Sequence, residues 1–239
     1  MFPLRDNIPT DRRPVVTIGL IAANVLVYFL WQRGGLSLGS PDSPHYLQNL
    51  YDYGLFPCAI TDRCTTTQPS EWLTPLTAMF MHGGLLHLGG NMLFLWIFGN
   101  NVEDSMGSAK FLVFYLLAGV AAFALQIAID TDAQVPNIGA SGAVAGVLGG
   151  YILLYPRARV LTLLFVVFFV TVVELPALLV LGLWFAEQVV FGASGLTQGG
   201  GDGGGVAYFA HIGGFAFGLA AIKLFAARVK DVPPRLPVW

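Results

Sequence analysis

Four polar side chains of the types that perform acyl transfer stand out in an otherwise apolar chain. They are Ser141 in NIGASGAVAGVLGGYILLYP, His211 in AHIGGFAFG, and His87 and Asn91 in MHGGLLHLGGNMLFLW. A serine hydroxyl is a poor nucleophile until a base takes its proton, and histidine titrates in the range that suits the task. The tetrahedral intermediate also needs donors aimed at its oxyanion. His87 and Asn91 are spaced i, i+4 and share one helix face. The amide of Ser141 lies at a helix start, where N–H groups lack intrahelical partners. Read alone, Ser141 has a plainer role open to it, because small residues let membrane helices pack and packing serines far outnumber catalytic ones.

The elements that must position these residues follow from composition. Of 239 residues, 55% are hydrophobic and 11% charged, and mean hydropathy is +0.68. A soluble domain carries about a quarter charged residues, so this composition implies an integral membrane protein. The net charge of −2 gives no reason to expect nucleic acid or a strongly anionic partner. At about 20 residues per crossing, spans are expected at Val15 to Trp31, Leu85 to Asn101, Phe111 to Ile129, Gly139 to Tyr155 and Val206 to Ala226. The polar leader with Arg5, Arg12 and Arg13 shows no cleavage pattern behind the first span, which reads as a retained anchor.

The long apolar tract from Val160 to Phe191 holds the remaining crossing. Thr171-Val-Val-Glu174, followed by Pro176, reads as a capping box that starts a helix. The 21 residues from Thr171 to Phe191 then suffice for one span, with Val160 to Val170 lying against the membrane surface. The expected fold is thus all-α: a bundle of six transmembrane helices with both termini cytoplasmic. In it, residues 1–14 form a cytoplasmic leader, 15–226 the six-span domain with an outer first loop over about 32–84, and 227–239 a cytoplasmic tail. Charge agrees: ten of the twelve basic residues (Arg5, Arg12, Arg13, Lys110, Arg157, Arg159, Lys223, Arg228, Lys230 and Arg235) fall inside, leaving Arg33 and Arg63 outside. Seven spans would split them six and six.

In that topology His87, Asn91, Ser141 and His211 lie at a similar depth below the outer face, and polar groups in hydrocarbon tend to mark function. Spans four and six each carry a G-x-x-x-G face, Gly142 with Gly146 and Gly214 with Gly218, that would bring Ser141 and His211 together.

The segments MHGGLLHLGGNMLFLWIFGNNVED, GASGAVAG and AHIGGFAFG, in this order and spacing, resemble the signature regions of the rhomboid family of intramembrane serine proteases. The likeness runs from Val15 to Ala226. It implies a Ser–His dyad with Ser141 as nucleophile and His211 as general base, and an oxyanion hole of His87, Asn91 and the Ser141 backbone N–H. It also implies that His82 is a structural hydrogen-bonder and Gly139 the loop glycine before the serine. Implied substrates are membrane-anchored proteins, cut in or beside their spans with the bilayer as medium. Such substrates must unwind at the cut, because an intact helix hides its carbonyls. Trp184 and Phe185 fall where the family has its candidate lateral gate. Some members stack a tyrosine on the base at the position of Ala145, which leaves Phe209, Phe215 or Met92 to hold the His211 ring. The Trp-Arg pair of some members is missing from the first loop, where Trp72 has no assigned role.

No cofactor and no metal is expected. Cys58 and Cys64, the only cysteines, lie in the outer loop, where a disulfide is plausible and two thiolates make a poor zinc site. Glu174 should lie on the cytoplasmic side, far from the site. Glu187 lies toward the outer side and either reaches the base or lines a polar face of span five. The glycines of residues 197–205 read as a flexible outer loop, with no strand or Lys-Ser/Thr to make a phosphate cradle. A transporter would show repeated halves with broken helices at the midplane, and an inactive relative would lack Ser or His. A prokaryotic plasma membrane is the expected location.

Overall fold

The computed structural model describes residues 1–66, 68–166, 169–197 and 206–231. It is mostly helical. Helix α1 spans Val15–Trp31, and α2, Pro44–Tyr53, lies in the loop that follows, capped by the Ser43 hydroxyl. Helix α3 runs over Leu85–Phe94, through a wider turn at Leu95–Gly99, and on over Asn100–Met106. Then come α4 (Ser108–Ile129), α5 (Ser141–Leu154), α6 (Ala177–Thr197) and α7 (Tyr208–Phe225). Among the described residues α4, α6 and α7 are long and apolar enough to cross a bilayer, while α1 and α5 are apolar but shorter.

The break between α3 and α4 is made by Gly107, whose φ of +85° suits glycine. Next to it, Glu103 is 2% exposed. Its carboxylate accepts from the Val16 and Thr17 amides and the Thr17 hydroxyl at the start of α1, and from the Ser108 hydroxyl at the start of α4. The acid satisfies unpaired N–H groups at the start of α1, bonds a hydroxyl at the start of α4, and complements both helix dipoles. One carboxylate therefore ties together the ends of α1, α3 and α4.

The all-α expectation needs correction. Phe2–Asp6 (β1), Arg159–Val166 (β2) and Phe169–Pro176 (β3) form a three-stranded antiparallel sheet in the order β1-β2-β3. Phe2 pairs with Leu163 and Asp6 with Val160. In the hairpin, Arg159 faces Pro176 and Val166 faces Phe169. The tract is dense in valine, threonine and phenylalanine, which favour a pleated, half-buried surface over a helix. The expected capping box is strand, and the helix begins at Ala177 instead of Thr171. Pro176 ends the strand, and the next amide, Ala177, closes the hairpin base on the Ala158 carbonyl at 2.8 Å. Residues 2–6, expected in a leader, are thus part of the folded body.

The other ends are tied down too. The Ala227 and Arg228 amides bond the Ser105 carbonyl at 2.9 and 3.0 Å. Lys230 pairs with Asp104, and Arg228 with Asp11. On the opposite end of the bundle Cys58 and Cys64 are joined in a disulfide, and the Cys58 amide bonds the Ala133 carbonyl in the α4–α5 connection. The glycine-rich loop expected over residues 197–205 lies, beyond Thr197, outside the described residues, as does the tail beyond Asp231.

Candidate active site

Helix α5 sits between α4 and α7 with almost no side chain in the way. A β-carbon on Gly142 or Gly146 would collide with Ala122 or Ala118 of α4. On the other face, a β-carbon on Gly214 would strike the Gly142 carbonyl oxygen, and one on Gly218 the Gly146 carbonyl oxygen. The two G-x-x-x-G faces thus meet backbone to backbone, and the contact can be this close only because both carry glycine.

At the end of that seam the Ser141 hydroxyl and His211 Nε2 are 2.7 Å apart. Ser141 is the first residue of α5 and His211 lies in the first turn of α7. Both are half-buried. The loop before Ser141 presses on the next site residue. Gly139, at φ +123°, has its Cα against the His87 ring: a β-carbon there would stand 2.8 Å from His87 Cε1 and Nε2, and 3.6 Å from Ser141 Oγ. The Gly139 amide anchors the loop on the Ala78 carbonyl at 2.9 Å. His87 Nδ1 accepts from the Gly83 amide at 3.1 Å. An acceptor at Nδ1 puts the ring proton on Nε2, the nitrogen on the Gly139 side.

Asn91 is buried one turn along α3, and its Nδ2 donates to the His87 carbonyl at 3.0 Å. That nitrogen carries a second hydrogen. The His82 ring is fully buried, edge-to-face on the His87 ring at 5.1 Å. Its backbone is gripped by Gln32, which accepts from the His82 amide at 2.8 Å and donates to the His82 carbonyl at 3.2 Å, and by the Tyr46 hydroxyl.

Two contacts of His211 were missed in the sequence. Gln188 is 5% exposed; its Oε1 lies 2.7 Å from His211 Nδ1, and its Nε2 donates to the Trp184 carbonyl at 3.0 Å. The Trp184 ring rests on the His211 ring with centroids 5.6 Å apart. Trp184 therefore occupies the place for which Phe209, Phe215 and Met92 were candidates. Phe215 lies behind it, with Phe185 stacked on Phe215 at 4.3 Å. Of the two readings open for Glu187, reaching the base is not the one observed, because adjacent residues on a helix point about 100° apart. Glu187 is exposed, and the neutral amide beside it faces the base. The signal available was a lone glutamine four residues after a tryptophan in an apolar span. Glu174 is held by Arg159, Nε to Oε2 at 3.2 Å, in the sheet. Among the described residues no group of His, Cys, Asp or Glu could hold a metal.

Apolar helices of spanning length, set around a hydrogen-bonded serine–histidine pair, mark an integral membrane protein. A Rhomboid domain model matches residues 69–228, so the chain belongs to the rhomboid family. It is 34% identical over 137 residues to Rhomboid protease GluP of Bacillus subtilis, covering 57% of this chain and 24% of that one. It is 30% identical over 206 residues to Rhomboid protein 1, mitochondrial, of Saccharomyces cerevisiae, covering 84% and 50%. Against the human Presenilin-associated rhomboid-like protein, mitochondrial, it is 30% identical over 156 residues, covering 64% and 36%. The chain thus spans half or less of the length of these relatives. With mitochondrial proteins among them, the family does not support restricting this chain to a prokaryotic plasma membrane.

Proposed function

We propose that this protein is an intramembrane serine endopeptidase that hydrolyses peptide bonds in or next to the transmembrane helices of membrane-anchored proteins. The observation that carries the reading is the 2.7 Å hydrogen bond between Ser141 Oγ and His211 Nε2. Ser141 Oγ attacks the scissile carbonyl carbon as its proton passes to His211 Nε2. The Ser141 N–H, His87 Nε2–H and the second Asn91 amide hydrogen take the oxyanion. The C–N bond then breaks, and the leaving amine takes the proton from His211. Water repeats the sequence on the acyl-enzyme and frees Ser141. The six-span arrangement with both termini cytoplasmic belongs to the same proposal. It is supported by the basic residues Arg5, Arg159, Arg228 and Lys230 at the sheet end of the bundle, and by the disulfide at the other.

The test is labelling of the detergent-purified protein by a fluorophosphonate, together with cleavage of a single-span reporter protein. Ser141→Ala should abolish both and leave the melting temperature within a few degrees of the parent, as expected for loss of one half-buried hydroxyl. His211→Ala should lower both by a factor on the order of a thousand or more. Labelling or cleavage by Ser141→Ala at the parent rate would remove Ser141 from the chemistry.

A further inference from the structure

A base that works through Nε2 must carry its neutral-state proton on Nδ1, and something must hold it there. Serine hydrolases with a triad use a carboxylate for this. Near His211 the acids are elsewhere: Glu187 is exposed and turned about 100° from Gln188 around α6, and Glu174 is paired in the sheet. We propose that Gln188 is the positioning residue for His211 and makes the pair a Ser–His–Gln relay, an inference that rests on the protease reading above.

The bonding order is forced from one end to the other. The Trp184 carbonyl can only accept, so the Gln188 nitrogen, 3.0 Å away, is the amide atom that faces it. Gln188 Oε1 is then the atom that faces His211, at 2.7 Å from Nδ1. A carbonyl oxygen can only accept, so Nδ1 carries the proton and Nε2 is bare. A bare Nε2 at 2.7 Å from Ser141 Oγ accepts the hydroxyl hydrogen. Every link has one possible direction, and the last is the one that nucleophilic attack requires. The Trp184 ring on the His211 face limits tilting of the imidazole.

The relay crosses two helix pairs of different kinds. Ser141 and His211 are joined across the glycine seam of α5 and α7, whereas Gln188 reaches His211 from α6. Displacement of α6 would withdraw Gln188 and Trp184 together while leaving Ser141 beside His211.

Two variants and one spectrum test this in the full-length protein. The probe is a fluorophosphonate: Ser141 Oγ forms a bond to phosphorus, the P–F bond breaks, fluoride leaves, and the hydroxyl proton goes to His211 Nε2. In Gln188→Leu, which keeps the bulk and removes the acceptor, the maximal inactivation rate should fall about 10- to 100-fold while the concentration for half-maximal rate is unchanged, since a buried donor is left unpaired. Gln188→Glu keeps an acceptor and should return the rate to within about tenfold of the parent. Histidine-selective 15N spectra should report the Nδ1–H tautomer at His211 in the parent and lose that signature in Gln188→Leu. A merely structural role would lower the yield of folded protein without moving either the spectrum or the rate per folded molecule. An Nε2–H tautomer in the parent overturns the inference without any variant. So does a parent-like rate in Gln188→Leu, provided that Ser141→Ala is unreactive. If Ser141→Ala still reacts, it is the protease reading that falls.

Discussion

Helix α7 meets α5 on one side and α6 on the other, and the two contacts are built differently. Toward α5 the glycines meet backbone to backbone, Gly214 on Gly142 and Gly218 on Gly146. Toward α6 the contact is made of side chains: Trp184, Phe185 and Gln188 on Phe215 and His211, and Tyr208 stacked on Phe191. Helix α6 shows the rest of its surface outward, with Leu178, Leu179, Leu183, Val189 and Val190 exposed. A backbone contact has no rotamers to change, so it fixes a distance. A side-chain contact can be taken apart and remade by rotamer change and a small shift of a helix. The seam that must hold Ser141 at 2.7 Å from His211 is of the first kind. The contact that sets the orientation of His211 is of the second.

The largest expected effect comes from breaking the first seam. Gly214→Leu puts a branched side chain where even a β-carbon strikes the Gly142 carbonyl. Helices α5 and α7 must then separate, and overpacking of this kind costs about 1–3 kcal/mol or prevents folding. The melting temperature should fall by about 4 °C or more, and fluorophosphonate labelling of whatever remains folded should be lost. A parent-like melt with normal labelling would show that the glycine contact is not what sets the serine–histidine distance.

A second effect sharpens the comparison at the other end of α5. There the Tyr151 hydroxyl donates to Asp6 Oδ2 at 2.6 Å, and Asn101 Nδ2 donates to the same oxygen at 2.7 Å, which ties α5 to the sheet. Burial is the main influence on Asp6 and pushes its carboxyl up from the ordinary 3.8 to about 6, against the hydrogen bonds, led by that from Tyr151, that favour the anion. A raised acid is favoured in its protonated form by the fold. Its contribution to stability is therefore complete below about pH 4 and is lost as pH rises through about 6. Asp6→Asn keeps an acceptor and removes the charge. Its melting temperature relative to the parent should rise between pH 4 and pH 7, by a few degrees at most, and a flat difference across that window would reject the account.

The difference between the two seams was half legible in the sequence. Gly142, Gly146, Gly214 and Gly218 announce a close helix pair by spacing alone, and Ser141 and His211 sit at its end. The span limits were readable from hydropathy because the bilayer sets helix length, and α5 and α7 start and stop within two residues of the expected positions. The sheet was not readable, because an apolar run such as Val160 to Val173 satisfies a membrane helix, a surface segment or a buried strand equally, and only pairing with Phe2–Asp6 decides. Gln188 was hidden for another reason. Its role depends on which face of α6 turns toward His211, and a helix whose apolar residues go all the way round gives no phase.

The smallest expected effect is a contrast in one residue type. Gly182 lies in the second turn of α6, and a β-carbon there would meet nothing within 4 Å. The helix has no close partner at that point, so the glycine is not there to admit a neighbouring backbone. Its replacement by alanine removes backbone freedom from the unfolded chain and fits helical φ and ψ without strain. In water the gain is up to about 1 kcal/mol, and it should be smaller here because glycine is tolerated better in membrane helices. Gly182→Ala should therefore leave the melting temperature unchanged or raise it by no more than about 4 °C. Labelling should stay within about twofold of the parent, because a methyl that touches nothing leaves Trp184 and Gln188 where they are. In Gly214→Ala the added methyl would meet the Gly142 carbonyl and has no such freedom. If Gly182→Ala were as damaging as a substitution at Gly214, α6 would be held by a backbone contact after all. The distinction between a seam that fixes the serine–histidine distance and one that can release the base would then disappear.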